Sequence, residues 1–188
     1  LAGRRGTEGY LRRLVDHLRP GLVVPTRHDA FFAPLARGVH LLPRIDDGAP
    51  DMATALAMAR IAVADGITVT ACTPHIYPGL YENNTNGIRV AIQSMQTRLD
   101  QEGIALRLVE GADVHVVPDL VDGLRDGRIP TLAGSRYFLF EPPHHVAPPR
   151  LEETAFNAMA AGYVPIVTHP ERLSWIESHY PVFQRMAR

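Results

Sequence analysis

Between residues 39 and 168, short apolar β-branched runs alternate with amphipathic helical stretches, and this alternation constrains the fold more than any other feature. Residues 39–42 form an apolar run that ends at Pro43. Residues 51–65 are predicted as a helix: Asp51 is a good N-cap, Met52, Leu56, Ala59 and Val63 line one face, and Gly66 stops it. The pattern continues with a strand at 67–73, a helix at 87–102 closed by Gly103, and a strand region at 106–117. A short helix at 118–126, an aromatic-rich strand at 137–141, a helix at 151–161 closed by Gly162, and a strand at 164–168 follow. Residues 175–188 read as irregular, then helical. Such alternation implies parallel strands joined by crossover helices, an α/β fold. Residues 1–35 do not join it. Tyr10, Leu11, Leu14, Val15 and Leu18 recur at helical spacing up to Pro20-Gly21, and apolar pieces broken by Pro25 and Pro34 follow. This segment is expected to be accessory and to supply no site residue.

Composition narrows the function classes. A chain of 188 residues can bury roughly 70% of its unfolded surface as one domain. With 46% hydrophobic and 21% charged residues, disorder of the whole chain is excluded. Mean hydropathy is -0.06, and no apolar run approaches the roughly 20 residues of a membrane span. A net charge of -1 gives no whole-chain attraction to nucleic acid or anionic membrane. Cys72 is the single cysteine, so an internally disulfide-stapled domain is excluded, and inside an apolar strand it reads as packing. The first nine residues hold arginines without a signal-peptide core, so the expected compartment is the cytoplasm.

In parallel β/α folds, ligands gather at the C-terminal ends of strands. Here the first strand carries His40, with Asp46 and Asp47 in the turn after it. The second ends in Thr73-Pro74-His75, and the third contains Gly111-Ala112-Asp113-Val114-His115. The fourth ends in Glu141-Pro142-Pro143-His144-His145, the fifth in Thr168-His169-Pro170-Glu171-Arg172. Each residue alone has an ordinary explanation as a turn former or a hydrogen-bonded rim residue. His17, His28 and His179 are read that way, and His115, which shares a strand face with Asp113, is a less favoured ligand. The coincidence at successive strand ends points to a metal centre. Imidazole with carboxylate suits Zn, Mn or Fe, and the lack of cysteine ligands argues against a structural zinc site.

The same segments resemble the polymerase and histidinol phosphatase (PHP) superfamily. Within it they are similar to bacterial capsule-biosynthesis protein-tyrosine phosphatases of the CpsB/YwqE type. The resemblance runs from about Gly38 to the C-terminus, over residues 40–48, Gly66-Ile67-Thr68, Thr73-Pro74-His75, residues 111–115 and 129–137, Glu141, and residues 168–172. It implies a distorted parallel β/α barrel at 36–188, holding a metal cluster, with manganese the expected metal and iron or zinc alternatives. By motif, His40 would bind a first metal and Asp47 and His75 another. Asp113, Glu141 and His169 would surround the middle one, and Arg172 would bind phosphate. The implied activity is metal-dependent hydrolysis of phosphotyrosine on a cytoplasmic kinase controlling exopolysaccharide assembly.

The departures are specific. The family's opening Asp-x-His-x-His reads Ala36-Arg37-Gly38-Val39-His40. Asp113 stands where a glutamate is usual, shorter by about 1.5 Å. The family's late Ser-Asp-x-His strand would fall beyond Arg188, so the barrel is expected to be incomplete at its C-terminal end. Two alternatives therefore stand beside the phosphatase: a catalytically impaired remnant that binds phosphotyrosine or its kinase, and a phosphoesterase for a small phosphorylated metabolite.

Overall fold

The computed structural model describes residues 22–23, 49 and 51–186. The described residues divide into two compact units, one formed by those up to 72 with 91–109, the other by 73–90 with 110–186.

In the first unit, helix α1 (Met52–Ala64) starts where Asp51 accepts a hydrogen bond from the Thr54 N–H at 2.8 Å. It stops at Gly66, whose φ of +85° suits a residue without Cβ. Strand β1 (Leu22–Val23) lies parallel to β2 (Val69–Cys72), pairing Leu22 with Val69 and Val23 with Thr70. Strand β4 (Arg107–Glu110) flanks β2 on the other side, giving the order β1-β2-β4. A short piece of the N-terminal segment thus pairs with the sheet. Helix α2 (Thr85–Gln101) places Met95 and Leu99 against Leu56, Ala59, Leu106 and Leu108. The Gln96 side chain splints the backbone entering β4: its Nε2 donates to Leu106 O at 3.1 Å, and its Oε1 accepts from Leu108 N–H at 2.8 Å. Cys72 is buried in this core, and burial pushes its thiol far above the ordinary range.

The second unit is built on a four-stranded sheet of order β3-β5-β6-β7, parallel throughout, with β3 at His75–Ile76 and β5 at Asp113–His115. Strand β6 covers Tyr137–Glu141 and β7 Val164–Val167. Four of the five β6 residues are buried, as expected of a parallel strand covered on both faces. Register places His75 opposite Asp113 and His115 opposite Glu141. Helix α4 (Leu151–Ala160) crosses from β6 to β7 and packs on β7 and on α5 (Ile176–Met186). A six-residue helix, α3 (Leu120–Arg125), packs on α4.

The predicted strands at 67–73 and 106–117 are each broken in two. The first breaks at Thr73-Pro74, where Pro74 cannot donate to a ladder. The second breaks at Gly111-Ala112. Each passes from one sheet to the other. Among the described residues, no helix is long and apolar enough to cross a membrane.

Candidate metal centre

Asp113 opens β5 and is fully buried, while Glu141 closes β6 at 5% exposure. Together with His75, the first residue of β3, they form a group whose ligand atoms all lie within 4.8 Å of one another. Glu141 Oε2 lies 3.0 Å from His75 Nδ1, in a hydrogen bond, and 3.9 Å from His115 Nδ1. Glu141 Oε1 lies 3.1 Å from His144 Nε2. Asp113 Oδ2 is 4.0 Å from His75 Nδ1 and 3.7 Å from His169 Nε2. Its other oxygen, Oδ1, accepts from the buried Thr168 hydroxyl at 2.8 Å.

His169 follows β7 and adopts a left-handed backbone, φ 47° and ψ 41°, before the short 3-10 turn Pro170–Arg172. Few non-glycine residues adopt this conformation. Arg172 is exposed at the end of that turn, and its N–H donates to His169 O at 2.8 Å. Tyrosines form one side of the site. The Tyr77 ring stacks on His115 at 3.8 Å between centroids, Tyr81 stacks on His75 at 5.5 Å, and backbone pairing joins the two tyrosines.

Two adjacent buried carboxylates need positive charge close by. Burial alone would raise the Glu141 pKa. The hydrogen bond from His75 and the nearby imidazoles of His115 and His144 outweigh it and hold the carboxyl well below its usual range. Burial, aided by the Arg172 charge, depresses the His169 pKa against the pull of Glu141 and Glu171, favouring the neutral imidazole that ligates metals. The donor set fits a divalent ion. With bonds of about 2.0–2.2 Å to His N and carboxylate O, neighbouring donors fall roughly 3–4 Å apart, the spacing found around Glu141.

The structure therefore gathers four of the residues expected from sequence: His75, Asp113, Glu141 and His169. His40 and Asp47 lie outside the described residues, as do His17 and His28. His179 is an exposed histidine contacting Ser178 and Trp175. Two side chains are closer to the centre than their sequence context indicates. His115 shares a strand face with Asp113, and the two-residue spacing was its signal. His144 follows two prolines in a loop and had no signal beyond nearness to Glu141.

Fold and donor set together define a class: an α/β protein with parallel strands and a mixed imidazole–carboxylate cluster that could hold a metal ion. Residues 38–188 match the family described as capsular polysaccharide synthesis, CpsB/CapC, and the chain belongs to that family. It is 34% identical over 133 residues to the tyrosine-protein phosphatase YwqE of Bacillus subtilis, covering 71% of this chain and 52% of that protein. It is 26% identical over 142 residues to the tyrosine-protein phosphatase CpsB of Streptococcus pneumoniae, covering 74% of this chain and 58% of that one. A solved chain described among crystal structures of YwqE from Bacillus subtilis and CpsB from Streptococcus pneumoniae, unique metal-dependent tyrosine phosphatases, matches with a TM-score of 0.72 at 28% identity, over 88% of this chain and 62% of that one. The chain spans a little over half the length of these curated relatives.

Proposed function

We propose that this chain is the metal-binding part of a protein-tyrosine phosphatase acting on a cytoplasmic kinase of capsule or exopolysaccharide assembly. The observation that carries the reading is the buried Asp113–Glu141 pair, carried by the two central strands of a parallel sheet and ringed by imidazoles. Its likeness to named tyrosine phosphatases supports the substrate class. The reading takes in the distorted parallel β/α barrel, with residues 36–188 as the metallophosphatase domain.

Asp113, Glu141 and His169 would hold one ion, Asp47 and His75 another, and His40 would bind a further one. Manganese is the expected ion, with iron or zinc as alternatives. When bound, a divalent ion supplies Lewis-acid polarisation of the phosphoryl group and activation of water. Thr168 fixes the rotamer of Asp113. The exposed Arg172 guanidinium is a bidentate clamp for phosphoryl oxygens, able to neutralise charge that develops as the ester bond breaks. The Tyr77 face gives an aryl ester a surface to stack on.

The experiment measures metal content and hydrolysis of a phosphotyrosine peptide by the purified chain and by Glu141→Gln. Manganese-dependent turnover that the substitution abolishes is expected. Metal-free protein, or turnover indifferent to Glu141, overturns the reading. Peptide binding without turnover in metal-loaded protein replaces it with the phosphotyrosine-binding alternative.

A further inference from the structure

His144 carries an observation that the four expected ligands do not account for. Its Nε2 is buried and has no hydrogen-bond partner among the described residues, although Glu141 Oε1 lies only 3.1 Å away. The distance is that of a hydrogen bond and the direction is not. Leaving a buried imidazole nitrogen unsatisfied beside a carboxylate is costly. Two ligands of one ion have this relation: they sit roughly 3 Å apart, with lone pairs aimed at a shared point and not at each other.

The loop holds His144 in place. The His144 carbonyl accepts from the Ser174 N–H at 2.9 Å and from its hydroxyl at 3.1 Å. The neighbouring Pro143 carbonyl accepts from Trp175 Nε1 at 2.8 Å. Pro142 and Pro143 restrict the chain on one side, Pro148 and Pro149 on the other. The imidazole also meets the His169 ring edge to face, with centroids 6.4 Å apart. These contacts hold the backbone that carries the ring and leave Nε2 unused.

We propose that His144 is a further metal ligand, its Nε2 acting together with Glu141 Oε1. It lies across the Glu141 carboxylate from His75, which faces Oε2. The inference rests on the metal-centre reading above and adds a histidine from the loop after β6.

The test uses the full chain with Mn²⁺ and Co²⁺ as probes. His144→Phe keeps a ring and removes the nitrogen, and His145→Phe is the neighbouring control. By equilibrium dialysis, His144→Phe is expected to lose one ion equivalent or to weaken binding by about 10-fold or more, while His145→Phe matches the parent. His144→Cys loaded with Co²⁺ should show a thiolate-to-cobalt charge-transfer band absent from the parent, whose Cys72 is buried in the other unit. This readout stands even if the phenylalanine variant folds poorly. Unchanged stoichiometry and affinity in His144→Phe, or no new band in His144→Cys, overturns the proposal while the metal centre stands. A parent chain that binds neither ion overturns both.

Discussion

Asp113 divides its two oxygens between different tasks. Oδ1 takes the Thr168 hydroxyl, and Oδ2 faces the imidazoles of His75 and His169. Thr168→Val removes that hydroxyl at nearly constant volume and takes one donor away from a buried carboxylate oxygen. Outer partners of this kind typically cost about 10–100-fold in metal affinity. We expect a loss near the lower end, read by calorimetric titration with Mn²⁺, with the fold retained. Tyr77 permits a separate test, since its exposed ring is the aryl surface proposed for substrate. Aromatic pairs contribute about 0.5–1.5 kcal/mol, or roughly 2–10-fold. Tyr77→Ala should lower kcat/KM for a phosphotyrosine peptide by that factor and leave metal content unchanged. An equal fall on an alkyl phosphate would show that Tyr77 does not select the ring. Glu141 and His169 stood out in the sequence because each lies beside a strand boundary that apolar runs announce, whereas Asp113, read inside a strand at 106–117, stood out only as a carboxylate in a mostly apolar run. His144 and Tyr77 did not. Their nearness to the centre depends on loop paths, set for His144 by hydrogen bonds from Ser174 and Trp175, about 30 residues away.

The elements themselves were mostly legible, for local reasons. Asp51, Gly66, Gly103 and Gly162 mark helix boundaries by chemistry that needs no tertiary partner, and the aromatic strand at Tyr137–Glu141 stands where its sequence predicts. What could not be read was that two apolar stretches each serve two sheets. Pro74 and Gly111 were visible, but a break in a strand does not say where the chain pairs next. Helix α2 was recognisable from its periodicity, whereas the reach of Gln96 onto the 106–108 backbone was not. Gln96→Ala leaves a donor and an acceptor without that partner, at about 1–3 kcal/mol for each group that stays unsatisfied. Leu99→Ala, in the same helix and fully buried, should cost about 2–5 kcal/mol. Urea titration checks both: each should lower the midpoint, and a Leu99→Ala midpoint at the parent value would contradict the core assignment.

At the scale of the whole molecule, ligation and stability are linked. A divalent ion at 100 times its dissociation constant adds about 2.7 kcal/mol. For a chain of this length that raises Tm by about 5–10 °C. The rise should reverse on chelation and vanish in Glu141→Gln, as scanning calorimetry would show. Trp175 is the only tryptophan in the chain. It is buried, stacks on Phe183, and donates its indole N–H to the carbonyl beside His144. Its emission is therefore a label-free optical reporter of one loop, undiluted by any other indole. Displacement of that loop would alter the indole's surroundings and shift the emission maximum, so a plain fluorimeter could follow the segment carrying His144.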